Sequence, residues 1–332
     1  MKTLLTALPA ILAGLLCSCG SMYGDLADES TGDVTGLWRS VDSMPTARAV
    51  PSLAELNGKV YAAGGIIGGK CTNAFETYDL RTGKWSVLKP NTAGATWMGK
   101  RKWAGCCAYN GRIYVAGGFG TLDESSDAYA VLSSLRIYDP ATNTWSDGPE
   151  LLAPGHIVST AVLNGTIYAA ISGRSSIYCF DVTHGTSWPA YGIACPGPAF
   201  DNPMVQAIGD KLFFADLSST NVYAYTFDPT KGAGCWTQAK TYLLSEISTL
   251  SSAVVNGKFC LTGTFSGRVS TVLIDPASVT ASMAGTWIEG PGFPSTTEQL
   301  SAFGFGSSLF LFGGSSGTAY YDSVYSYFDP AL

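Results

Sequence analysis

The sequence predicts an all-β chain closed into a six-bladed propeller, and three observations predict it. Apolar residues make up 46% of the 332 residues and charged residues only 13%, where soluble domains carry about a quarter charged. A chain so apolar and weakly charged folds rather than staying disordered. Its 39 glycines, 17 tyrosines, 15 phenylalanines and 8 tryptophans suit sheets joined by tight turns. Six tryptophans recur almost regularly, at Trp38, Trp85, Trp145, Trp188, Trp236 and Trp287. Finally, the two ends of the chain hold complementary pieces of one repeat.

The first element is an address. Lys2 precedes an apolar run from Leu4 to Leu16, too short to span a bilayer but of the length of a signal-peptide core. It ends in Leu16-Cys17-Ser18-Cys19, which resembles a bacterial lipobox with Cys19 as the acylated residue. Residues 1–18 are therefore read as a lipoprotein-type signal peptide. Residues 19–35, polar, acidic and rich in Gly and Ser, are read as a flexible tether. The expected location is extracytoplasmic, either lipid-anchored or secreted. Seven further cysteines follow, and in an exported chain some are expected to pair, although the odd number and irregular spacing match no disulfide framework.

The repeats come next. The tryptophan spacings are 47, 60, 43, 48 and 51. One unit reads LAELNGKVYAAGG followed by FETYDLRTGKW, and the next CCAYNGRIYVAGG followed by LRIYDPATNTW. Weaker copies stay in register: AVLNGTIYAAISG, AIGDKLFFAD, VVNGKFCLTG and FGSSLFLFGG. Residues 36–332 thereby resemble the kelch-repeat family, whose period is about 50 residues.

Each repeated feature has a physical role. Asn57-Gly58, Asn110-Gly111, Asn164-Gly165 and Asn256-Gly257 are type I′ turn signals joining the first two strands of a blade, since both turn residues need positive φ. The pairs Gly64-Gly65, Gly117-Gly118 and Gly313-Gly314 end the second strand. Asp followed by Pro at 140, 229, 276 and 330 ends the third. The Trp lies on the fourth, placed to pack between blades. Trp38 has no preceding blade, while Phe328-Asp329-Pro330 is followed by no Trp. The strand around Trp38 is therefore expected to complete the sixth blade and remove its open edge.

Function then falls to the loops. The resemblance implies a ligand face built from the loops between blades and those joining second to third strands. The candidate ligand-binding residues there are Arg48, Trp97, Arg101, Lys102, Trp103, His156, Arg174, Glu246 and Glu298. Trp97 to Trp103, WMGKRKW, is the one dense basic and aromatic cluster, where guanidinium forks would take carboxylates and indoles would stack on sugars. The competing reading is a packed loop, with Asp123, Glu124 and Asp127 of a long insertion quenching the charge.

A net charge of −6 argues against nucleic acid as partner. Two histidines, His156 and His184, leave no imidazole set for the copper of galactose oxidase-type propellers, so neither metal nor cofactor is expected. The preferred reading is a non-catalytic module binding a glycan or a protein partner, with no catalytic residue and the membrane reached only through the anchor. The alternative is a carbohydrate-modifying enzyme similar to sialic acid mutarotase, with Glu246 or Glu298 and Arg48 or Arg101 as acid/base and clamp.

Overall fold

The computed structural model describes residues 38–89, 97–189, 192–195, 199–218, 221–227, 237–238, 242–243, 247–265, 268–278, 287–293 and 297–330. Among them the chain forms six antiparallel sheets of four consecutively paired strands, the fourth sheet carrying one extra strand. Sheet one comprises Ser52–Leu56, Lys59–Ala63, Phe75–Asp79 and Lys84–Val87, and sheet two Gly105–Tyr109, Arg112–Ala116, Leu135–Asp139 and Thr144–Asp147. The first strands of sheets three, four and five are Val158–Leu163, Pro203–Ile208 and Ile247–Val255. Sheet six begins at Ser301–Phe305, and its fourth strand is Trp38–Val41, paired antiparallel to Val324–Phe328. The expected closure by the N-terminal strand is thus present.

The turns form for the reason their sequences give. Asn57, Asn110, Asn164 and Asn256 all have φ between 48° and 54°, and the glycines after them between 73° and 78°. That is the left-handed pair a type I′ hairpin requires.

The core lies in the seams between sheets. Phe75 of sheet one packs on Trp145 of sheet two with ring centroids 5.0 Å apart. Trp85 meets Phe312 of sheet six at 6.0 Å. The indole N–H of three seam tryptophans also reaches back along the ring, whereas that of Trp145 is buried without a partner. Trp38 donates to Gly292 O, Trp85 to Asp42 O and Trp188 to Pro149 O, at 3.0, 2.8 and 3.0 Å. An aromatic body with one polar handle fills an apolar seam and pins the neighbouring chain at once.

The cysteines behave as core filler. Cys71, Cys106, Cys107, Cys179, Cys195 and Cys260 are all unpaired, so among the described residues no disulfide forms, contrary to expectation. Burial pushes the Cys107, Cys195 and Cys260 thiols up to about 12, which leaves them inert small hydrophobes.

Candidate functional site

The first strands of the six sheets surround a channel with a cavity of about 320 Å³. Ser52, Cys106, Ser159, Gln206, Ser252 and Ser301 face it, one from each sheet. Among the described residues its lining holds no Asp, Glu, His, Lys or Arg. Much of its polar surface also staples sheet to sheet. Ser52 Oγ donates to Ala104 O at 2.8 Å, Gln206 Nε2 to Ser252 Oγ at 3.0 Å, and Ser301 Oγ to Pro51 O at 2.7 Å. Ser159 Oγ and Ser251 Oγ accept the backbone N–H of Val205 and Ala302, at 3.0 and 2.8 Å.

One side of the channel mouth wears a collar. In sheets six, one and two the glycine pair breaks the second strand, and the chain turns to pair with the segment leading into its own sheet. Ser315 bridges Glu298, Ile66 bridges Ala49, and Gly120 pairs with Arg101. The leaders of sheets one and two are tied to the preceding loop as well, with Arg48 N–H donating to Tyr321 O at 3.0 Å and Arg101 N–H to Thr72 O at 3.1 Å. Gly64 and Gly65 are required here, with φ of 65° and 116°, because a Cβ at either would strike the Arg101 or Ala49 carbonyl. In sheets three, four and five only four, two and two residues separate the second strand from the third.

The insertion in sheet two is an ordered strap. Lys100–Lys102, Phe119–Thr121 and Ala130–Val131 form a three-stranded sheet of their own. The acidic residues do quench part of the basic cluster. Asp127 takes Lys70 Nζ at 2.7 Å and Lys100 Nζ at 3.2 Å, and the Tyr129 hydroxyl at 2.9 Å. Hydrogen bonds from Lys70, Tyr129 and Lys100 hold its carboxyl well below the usual range. Glu124 accepts from Asn73 Nδ2 at 2.5 Å.

Beside the strap lies an aromatic ledge. Lys102 Nζ sits 3.9 Å from the centroid of Trp103 and 5.4 Å from that of Phe119. The exposed His156 ring stacks on Phe119 at 4.9 Å and 10°. Trp103 also lines the channel, so the ledge runs to its mouth.

Of the candidates read from sequence, Lys102, Trp103 and His156 meet on this ledge. Arg174 and Glu298 are exposed elsewhere on the loops. Trp97 packs against the core between sheets one and two. Glu246 and Cys19 lie outside the described residues.

Arg48 and Arg101 require correction. Arg48 is 0% exposed and bound to Glu76, itself 1% exposed, at 2.5 Å. Arg101 is 1% exposed. It donates to Gly117 O and Ser134 Oγ, each at 3.1 Å, and to Met98 O. Burial, then the nearby Arg136, pulls its guanidinium down to about 9. The cause is strand geometry. Lys100–Lys102 is a strand, so its middle side chain points opposite to its neighbours. Neither arginine stands on the rim, and the clamp imagined for an enzyme loses both.

Sequence reasoning missed Phe119 and Tyr129 because the strap looked like irregular loop. The alternation of FGT against KRK was the available signal.

Comparison with known proteins accords with this geometry. The Kelch motif family matches at residues 48–92 and 101–152. A kelch repeat and BTB domain-containing protein 12 of Danio rerio is 30% identical over 154 residues, which is 40% of this chain and 23% of that protein. Kelch-like protein terF of Aspergillus terreus is 25% identical over 52% of this chain and 40% of its own length. The chain therefore spans well under two thirds of these curated relatives. Among solved structures, that of YjhT superposes with a TM-score of 0.65 at 16% identity, covering 86% of this chain and 96% of that one.

Proposed function

Since this chain is a kelch-repeat propeller, we propose that it is an exported, non-catalytic binding module that holds a glycan at its channel mouth. The fold is one that serves protein or ligand binding, and fold alone does not name the ligand. The ledge supports the choice of glycan. Trp103 offers a ring beside a polar, uncharged cavity, and Phe119 carries an exposed imidazole. Large rings with polar neighbours suit the apolar faces and hydroxyl edges of a sugar. The ledge imidazole, His156, is engaged in stacking on Phe119. The lining supports binding over catalysis, because general acid/base work needs a carboxyl or imidazole and among the described residues it holds neither. Its ionisable group, the Cys106 thiol, is pushed far above its ordinary value by burial. The lipobox-like Cys19 and the tether after it would present this face outside the cytoplasm.

The test is a glycan array probed with the mature chain. We expect binding that falls at least tenfold on Lys102→Ala with His156→Ala, with an unchanged melting temperature. A chain that binds no glycan overturns the reading.

A second reading rests on a different observation. Ile67, on a short collar strand, and Leu122 and Leu152, on loops, are 37%, 41% and 51% exposed in the sheet-one to sheet-three sector. Such apolar tips fit a protein partner. A pull-down that depends on Leu122 and Leu152 but not on Trp103 would favour it.

A further inference from the structure

Three residues at the mouth share an unusual backbone state. Val50, Trp103 and Gln299 have φ of 46°, 55° and 57°, the left-handed region that bulky and β-branched residues rarely occupy. Each stands two residues before the first strand of its sheet, at Ser52, Gly105 and Ser301. All three belong to the collared sheets, and all three line the channel. The backbone, not the side chain, explains the shared state. Val50 N–H donates to Gln299 O at 3.1 Å, and Trp103 O accepts from Val158 N–H at 2.9 Å. Asn or Gly would meet that requirement with less strain. An aliphatic, an aromatic and an amide side chain occur instead, one at each position. The fold fixes where these side chains sit without dictating their type, and Gln299 Oε1 there accepts from Ser315 Oγ at 3.2 Å.

Charge at the mouth narrows the ligand further. Arg48 is neutralised by Glu76, Arg101 is shut beneath the strap, and Lys70 and Lys100 are held by Asp127. Lys102 rests over two rings and does not itself line the cavity. At about 320 Å³ the cavity stands at the small end of ligand pockets, which begin near 300 Å³. That is room for a single sugar ring.

We propose that the channel mouth accepts one uncharged sugar residue, and that Val50, Trp103 and Gln299 are the positions that read its identity. Trp103 stacks on the ring, the Gln299 amide meets a hydroxyl or acetamido group, and Val50 limits bulk on the third side. This rests on the glycan reading above and deepens it.

The experiment is isothermal titration of the mature chain with glucose, galactose, mannose and N-acetylglucosamine, then with glucuronate and galacturonate. One neutral sugar should bind, with the uronates at least tenfold weaker. Raising NaCl from 0.1 to 1 M should change its Kd by less than twofold, although screening shortens from about 10 to 3 Å. Trp103→Asn relieves the backbone and removes the ring, so it should lose affinity at least tenfold while melting no lower than the parent. Gln299→Leu should reorder the preference among the neutral sugars. A uronate bound more tightly than every neutral sugar overturns the proposal and leaves the glycan reading standing. Neutral sugar binding indifferent to Trp103→Asn and Gln299→Leu also overturns it. Failure of all six sugars overturns both.

Discussion

Arg48 and Arg101 occupy the same register in consecutive repeats, yet one faces a carboxylate and the other does not. Glu76, which takes Arg48 Nη1 at 2.5 Å, lies opposite Ala62, and the residue at that place in the next sheet is Arg136, opposite Val115. Arg136 is itself bound to Asp147. One buried guanidinium is therefore paired, and the other makes do with neutral acceptors.

The first prediction follows from this inequality. Arg48→Met leaves Glu76 buried without its cation and should cost about 3–5 kcal/mol. Arg101→Met removes a buried charge that has no carboxylate and should be neutral or stabilising. Urea denaturation of both variants decides it. Equal large losses would mean that the neutral acceptors compensate Arg101 as fully as Glu76 compensates Arg48.

Closure gives the second. Trp38 packs on Phe293 at 5.1 Å and on Tyr327 at 5.3 Å. Trp38→Ala should cost about 3 kcal/mol, by precedent for aromatic truncation. Deleting residues 36–42 should expose the edge of sheet six and promote aggregation. A deletion that melts like the intact chain would show that this strand adds nothing.

The strap gives the third, a dependence on pH. The Asp127 carboxyl sits below its ordinary range because Lys70, Tyr129 and Lys100 favour the ionised form. A depressed carboxylate contributes its stability above the unfolded value, about 3.9, and loses it as pH falls below that. Hydrogen exchange at residues 121–131 should thus quicken, relative to the sheets, between about pH 4 and pH 2. Asp127→Asn should abolish the pH effect.

A fourth concerns the address. Cys19→Ala should move the protein from the membrane fraction to the soluble one. Continued membrane association, or a mature terminus other than Cys19, would remove the lipid anchor from the proposal.

The fold was legible because its signals are local and repeated. The Asn-Gly pairs demand their turns wherever they occur, and Trp38 could be assigned by the absence of a partner at the other end. The site was legible only in part. Lys102 and Trp103 were found by clustering, but Arg101 was grouped with them as though the segment were a loop. The sequence did hold a warning, since Arg48 and Arg101 recur 53 residues apart, in step with the repeat. A residue kept in register serves the repeat before it serves a ligand. The roles of Val50 and of Gln299, the neighbour of Glu298 on its loop, were missed for the opposite reason, because left-handed backbone at such residues comes from tertiary hydrogen bonds that no local pattern announces.

The pairing of Trp38 with Tyr327 also sets a clock. Nearly all of the described chain lies between these two strands, so the contacts that finish sheet six have among the longest sequence separations in the molecule. Loop closure on that scale is slow, and until it happens Val324–Phe328 presents a bare edge to its surroundings. During synthesis the early strand must wait, unpaired, for the last repeat to emerge. A circular permutant that joins Trp38–Val41 behind Phe328 through a short turn would make this meeting a hairpin. It should reach the native state sooner than the natural order does, with little change in final stability.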